Sequence, residues 1–522
     1  MVNLLSPGIE TREIDLSTVA PSVSTLEGAI SGVFRWGPVL EPVLITSEVD
    51  LVRRFGEPKT GFNIETFFTA ADFLAYSNSL YVVRVSDGNK AKFTGNNAID
   101  AITAKYPGEM GNSIRVETYN RTNASNSTFG DVAETEPESD EFVNVIVVDT
   151  TGVFTGVQNG ILEVFENLSL SEGAKTEDGT NNYIIDAVNT RSRYITINET
   201  VDVDIFEEFD ETLEDGTDGS SESTISLGGL FEGYDIFDTP ENIDISLIMQ
   251  GKARGSSSDS ELASYIIDNI VEQRKDCVLF ISPPRSAVVE NPGSEIDAIR
   301  TFRDNINNSS YAVMDSGYKY RYDRYNDRFV YTPLNGDIAG LCVRTDRERD
   351  PWFSPAGYNR GLIRNVVRLA WNPKKAQRDQ LYKIDVNPVM TQTGEGTLLF
   401  GDKTLLGRQS AFSRINVRRL FIILQKTIAR ASRTTLFEFN DAFTRAQFKN
   451  IVEPFLRDIQ GRRGITDFLV VCDETNNTPE VIDRNQFIGD IYIKPARSIN
   501  FIQLNFVAVR TGVEFSEVVG QF

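Results

Sequence analysis

Histidine is absent from the 522 residues, where a chain of this length would ordinarily carry about a dozen. That excludes Ser-His-Asp and Cys-His nucleophile systems, HExxH zinc sites and a histidine base working near neutral pH. Cysteine is scarce too. Cys277, Cys342 and Cys472 stand far apart with no CxxC pair, so a four-cysteine zinc site is impossible, and an odd, sparse count makes no disulfide framework. They read as buried thiols of a reducing compartment. Long apolar runs are also lacking. The longest, such as Cys277–Ile281 and Leu420–Leu424, fall far short of the ~20 residues of a membrane span. Met1–Glu10 offers no basic stretch followed by an apolar one, so neither a signal peptide nor membrane insertion is expected.

Positive charge is in short supply, but not evenly. Against 52 Lys plus Arg stand 75 Asp plus Glu, net −23. Residues 88–240 carry 8 basic and 30 acidic groups, net −22, whereas 341–522 carry 27 and 19, net +8. The acidic block would repel phosphates and no aromatic-interleaved basic motif occurs, so nucleic acid is not an expected partner.

What is present reads as α/β and α+β multidomain. Residues 1–20 form an N-terminal arm and 21–87 the first part of a core, with strands at Gly28–Phe34 and Leu80–Val85. Ser47-Glu-Val-Asp50 opens a short helix as a capping box, and Phe67, Ala71 and Leu74 mark a second one. Residues 88–240 switch to short β-rich runs and acidic loops, an inserted β-rich α+β outer domain. Residues 241–350 resume the α/β pattern as the second part of a discontinuous core. They include a tyrosine-rich hairpin, with Tyr318, Tyr320 and Tyr322 on one face and a turn near Asn326-Asp327. Residues 351–510 form a C-terminal inner domain and 511–522 a C-terminal arm.

Two helices are read in that inner domain. In Arg360–Trp371 an apolar stripe of Ile363, Val366, Val367 and Ala370 runs beside a basic row of Arg360, Arg364 and Arg368. In Ser413–Ser432, Val417, Leu420, Phe421, Leu424 and Ile428 form the stripe, and Arg414, Arg418, Lys426, Arg430 and Arg433 crowd the rest. Such basic faces are either solvated or built to meet an acidic partner. Ile9–Ile14 and Val513–Val519 are extended segments with no evident partner in their own domain.

Two motifs imitate chemistry. Gly396–Thr404 nearly spells a Walker A loop, but Asp402 interrupts the required Gly-Lys-Thr and sets an anion where phosphate would lie. Glu211–Glu222 echoes an EF-hand, with Leu213 where a ligand oxygen belongs and no flanking helices. The first reads as a strand-turn-strand and the second as a solvated acidic loop, no cofactor is expected, and no carboxylate pair stands out as catalytic.

A set of colinear motifs resembles contractile phage tail sheath proteins of the T4-like branch. They include Leu5–Glu10, Phe34-Arg-Trp-Gly-Pro38, Tyr106-Pro-Gly-Glu109 and Ser282-Pro-Pro-Arg285. The match is densest at Asp337–Leu341, Ser354-Pro-Ala-Gly-Tyr-Asn-Arg-Gly361, Gly401-Asp-Lys-Thr404, Arg414–Phe421 and Pro495–Asn500. The block 88–240 is covered thinly. An outward-facing domain that such proteins usually carry before the segment matching Tyr106 is missing, since only about twenty residues separate Val85 from Tyr106.

The resemblance implies a non-enzymatic sheath subunit of the virion, present in host cytoplasm during assembly. It would form hexameric rings stacked helically round a tail tube, between baseplate and tail terminator proteins, and contract on triggering. It implies inter-subunit strand exchange through the arms, with Ile9, Thr11, Ile14, Val513, Phe515 and Val518 as the exchanged positions. The basic rows Arg360, Arg364, Arg368, Arg414 and Arg418 become candidates to face an acidic tube. The competing expectations are a sheath of a phage-derived injection device and, more distantly, a cytoplasmic carboxylate-dependent enzyme.

Overall fold

The computed structural model describes residues 25–94, 100–256 and 258–500. Ile9, Thr11, Ile14, Val513, Phe515 and Val518 lie outside them. The largest sheet has seven strands in the spatial order Val386–Asn387, Ala312–Asp315, Val278–Ile281, Leu247–Met249, Gly28–Val33, Leu80–Val85 and Pro42–Ile45. All neighbours run parallel except the Pro42–Ile45 edge. Strands from residues 28–85 and 247–387 thus share one sheet, joined where Gly28–Val33 pairs with Leu247–Met249. Helices cover it, and the strands read as unbroken apolar runs because both faces are buried. Ser47 caps the Glu48–Phe55 helix by accepting from the Asp50 amide, one half of the expected capping box; the Asp50 carboxylate accepts from the Thr46 amide instead of that of Ser47.

The Ile64–Leu74 helix is buried along its whole length. Its N-terminus has no cap from Asn63. The Glu222 carboxylate supplies one from a distant loop, accepting the amides of Glu65 at 3.1 Å and Thr66 at 2.9 Å. Lys252 pairs with Glu65 beside it, while burial and the Glu65 charge raise the Glu222 pKa. The EF-hand-like spacing around Glu222 therefore ends in a helix cap.

Residues 91–213 build a second core from a four-stranded antiparallel sheet and a three-stranded one. The chain enters and leaves this unit side by side: Asp87 accepts the Ser220 amide at 2.6 Å and its hydroxyl at 2.7 Å. A Cβ on Gly88 would strike the Thr217 carbonyl, so this crossing needs glycine. Arg84, 0% exposed, ties the two cores together. It donates to the carbonyls of Phe34 at 2.8 Å, Gly37 at 2.7 Å and Arg35 at 3.2 Å, and to Pro107 at 2.7 Å across the junction. Burial pulls its pKa down to about 10. The expected boundary at 240 moves, because Ile225, Leu230, Tyr234 and Phe237 pack in the first core. The Leu227–Asp235 helix, capped by Ser226, directs the Tyr234 hydroxyl at the Met249 and Gln250 carbonyls of the large sheet.

A third core gathers Trp352, Leu420, Leu424, Phe448, Val452, Leu456 and Ile459 beneath the Ile465–Val471 strand. The Ile415–Ser432 helix joins it to the first core, which takes Ile415 and Ile422. All three cysteines are buried and free. Among the described residues no cluster of His, Cys, Asp and Glu could hold a metal ion, and no helix is long and apolar enough to cross a membrane.

Candidate assembly surfaces

The helix expected over Arg360–Trp371 does not form. Asn365 takes φ +53°, and the adjacent β-branched Val366 and Val367 favour extended backbone. Tertiary pairing then claims the segment: the Ile363 amide donates to Thr397, Val367 to Tyr320 and Ala370 to Tyr318. Arg360, Arg364 and Arg368 therefore share no helical row. Arg360 is half-buried, donates to the Ser354 carbonyl and lies over Phe353. Arg364 is exposed, donates to the Ala75 carbonyl at 2.6 Å and lies over Tyr76. Arg368 is exposed on a different surface, its guanidinium 4.7 Å from the centre of the Tyr320 ring.

The second basic helix forms as expected, yet its own chain takes up most of its cations. Arg418 is buried between Tyr311 and Phe412, 4.2 and 4.0 Å from the ring centres, and donates to Ser310 and Tyr311. A side chain so enclosed presents no charge to a partner. Lys426 and Arg430 pair with Asp244 at 2.7 and 3.1 Å. Arg419 holds Asp346 through two hydrogen bonds of 2.8 and 2.5 Å.

Arg414 reaches Asp402 at 2.7 Å and the Tyr382 hydroxyl. Burial disfavours its charge, but Asp402 and Tyr382 together more than offset this and raise its pKa. Asp402, 1% exposed, is a hub. Its carboxylate also accepts Ser354 and Ser498 hydroxyls and the Asn500 amide, each at 3.0 Å. Lys403 pairs with Asp385 at 2.8 Å, and the Thr404 hydroxyl donates to the Phe412 carbonyl. Every polar side chain of the Walker-like loop is thus spent on structure.

From this hub the chain runs to the end of the described residues. Ile465–Val471 and Asp490–Pro495 form an isolated antiparallel pair. Ile465 and Val470 anchor one face in the third core, while Leu469 and Tyr492 face solvent. Each strand has an edge with no strand partner among the described residues. Residues 496–500 then pass between two open clefts of about 1280 and 1340 Å3, touching the walls of both. The loop joining the last two long helices exposes Leu436, Phe437 and Phe439, and the first turn of the Ala442–Gly461 helix exposes Phe443. The sequence reading missed that patch; four large apolar residues crowded into 436–443 were the available signal.

Comparison with known proteins gives these surfaces a setting. The description "Tail sheath protein Gp18 domain III N-terminal region" matches residues 29–85. "Phage tail sheath protein central domain" matches 244–405, and "Phage tail sheath C-terminal domain" matches 408–508. The tail sheath protein of Vibrio phage KVP40 is 33% identical, covering 99% of this chain and all of that protein. That of Enterobacteria phage T4 is 32% identical with the same coverage. The first alignment is 682 positions long against 522 residues, so the Vibrio phage protein carries well over a hundred residues with no counterpart here. Among solved structures, a sheath tail protein from Listeria innocua matches with TM-score 0.58 at 13% identity, over 92% of this chain and 97% of that one. The contracted sheath of an extracellular contractile injection system matches with TM-score 0.55 at 13% identity, over 97% and 98%. Near-complete coverage by structural tail proteins leaves no place for the carboxylate-enzyme reading. The chain belongs to the family of contractile-tail sheath proteins.

Proposed function

We propose that the subunits form hexameric rings stacked helically round a tail tube, between baseplate and tail terminator proteins, and that neighbours are linked by exchanged strands. The observation that carries this is the isolated strand pair Ile465–Val471 and Asp490–Pro495, with one open edge on each side and a cleft alongside. Two strands alone are marginal in water. An arm of another copy would complete the ladder through backbone hydrogen bonds largely whatever its side chains. With ~4–6 bonds at roughly 0.5–1.5 kcal/mol each, a junction contributes on the order of 2–9 kcal/mol. Ile9, Thr11 and Ile14 at one end and Val513, Phe515 and Val518 at the other supply the exchanged strands.

Links of this kind stay intact while subunit bodies rotate. Contraction then needs no nucleotide if the contracted lattice buries more surface than the extended one. The acidic unit lies outward, and Arg364 with Arg360 faces an acidic tube. Neither nucleic acid nor a membrane is a partner, and assembly takes place in host cytoplasm.

The test is to delete residues 1–20 or 511–522 and compare each product with the full chain by negative-stain microscopy. The full chain should give striated tubes or rings. Either deletion should leave monomers with an unchanged unfolding midpoint. Deleted chains that polymerise at the same concentration as the full chain would remove strand exchange as the link.

A further inference from the structure

The tyrosine-rich hairpin is built inside out. Tyr318–Asp323 pairs with Arg328–Pro333, and Tyr320 lies opposite both Tyr331 and Arg368. Alternation sends Lys319, Arg321 and Asp323 to the inner face, all buried. There Lys319 and Arg321 meet Asp72 and Asp337. The outer face carries Tyr320, Tyr322, Phe329 and Tyr331. Tyr320 stacks on Phe329 with ring centres 5.3 Å apart, and Phe329 meets Tyr322 at 5.4 Å. Tyr322 and Phe329 remain 46% and 48% exposed. A soluble sheet ordinarily buries its aromatics and wets its charges; beyond Tyr318, which is buried with its hydroxyl on Glu65, this one does the reverse. Exposed Tyr, Phe and Arg together are the composition of interface centres.

We propose that this aromatic face is a sheath–sheath contact, docking on an acidic surface of a second copy in head-to-tail fashion. Charge selects the occupant. Arg368, opposite Tyr320 and over its ring, stands on this face without an ion-pair partner among the described residues, whereas the chain as a whole is net −23. A two-fold contact of the face with itself would set this arginine against its own copy. A contact with a different, acidic surface satisfies it, and such heterologous contacts are the kind that propagate a helix. The proposal rests on the polymer reading above and adds a named surface to it.

The experiment places a photo-activatable phenylalanine analogue at position 322 of the full chain and cross-links the assembled sheath. Cross-links into another copy of this chain, at acidic segments remote from 318–331, are expected. Cross-links to the tube protein or to nucleic acid, to the same hairpin of another copy, or to nothing overturn the proposal. In parallel, the double variant Tyr322→Ala/Phe329→Ala should keep the monomer's unfolding midpoint and raise the polymerisation threshold at least about tenfold. An unchanged threshold, with the wild-type chain polymerising, overturns this contact and leaves the sheath reading standing. A wild-type chain that never polymerises fails the polymer reading instead.

Discussion

The Lys319 ammonium lies 2.8 Å from the Asp337 carboxylate, and both side chains are sealed from water. Asp72 completes the cluster at 3.0 Å from Lys319 and also holds Arg321. The pair joins the hairpin to the Asn335–Glu348 helix, and Asp72 brings in the Ile64–Leu74 helix. Burial pushes the Asp337 pKa up to about 7 while Lys319 opposes that rise, so the cation is what lets this buried carboxyl hold a charge at pH 8. Lys319→Met should therefore cost about 3–5 kcal/mol at pH 8, because it strands buried charge. The cost should shrink at pH 5.5, below the Asp337 value of about 7, where that carboxyl is protonated and leaves no stranded charge. Urea unfolding at the two pH values measures both.

A second buried carboxyl gives the protein a pH slope of its own. Asp315 accepts the Ser282 hydroxyl at 2.7 Å and the Gly317 amide at 2.8 Å, but burial pushes its pKa to about 8. The unfolded value is near 3.9. Between about pH 4 and 8 the folded state therefore binds more protons than the unfolded one, and stability falls as pH rises through that window. Carboxylates with lowered pKa, such as Asp149 and Asp87, lose their contribution only below it. The denaturant midpoint should drop from pH 5.5 to pH 8, by the equivalent of ~1–3 kcal/mol. Asp315→Asn should flatten the drop, since the amide does not titrate; its oxygen keeps the Gly317 bond while its NH2 takes the place of the oxygen that met Ser282.

Local signals were legible where chain-local physics decides. The Ser47 cap, the Leu80–Val85 strand and the stripe of the 415–432 helix all follow from spacing and side-chain chemistry. The 360–371 segment was misread because its apolar spacing suits a helix, while hydrogen bonds to Thr397, Tyr320 and Tyr318 hold it extended. Partners at such sequence separation leave no local trace. The same limit hid where the basic side chains point: Arg418 and Arg364 look alike in sequence, and only the fold brings Tyr311 and Phe412 around one of them.

The Asp402 hub separates fold from arm. Asp402→Asn leaves Arg414 without its ion-pair partner and should destabilise the chain by about 2–4 kcal/mol. Ser498→Ala/Asn500→Ala removes the two side-chain bonds that tie residues 498–500 to Asp402, leaving the Ala496 amide on the Gly464 carbonyl. That double variant should shift the unfolding midpoint little, yet speed trypsin cleavage after Arg497 several-fold in the unassembled chain. Equal cleavage rates would show that those two bonds do not restrain the segment.

Arg364 and Arg418 should respond in opposite ways to the same charge reversal. Arg418→Glu would set a carboxylate between Tyr311 and Phe412, where the neighbouring charge is Glu272. An unpaired buried anion costs about 3–5 kcal/mol, so this variant should fail as a monomer, before assembly is asked of it. Arg364→Glu loses a surface hydrogen bond and a ring contact, a change of about 1 kcal/mol. Its monomer should fold normally and assemble on tubes less readily than wild type. The defect should be largest at low salt, where surface charge acts furthest. Co-sedimentation with tubes across a salt series, beside unfolding of each monomer, separates the two effects. Wild-type co-sedimentation by Arg364→Glu at every salt concentration would mean that the tube meets some other surface.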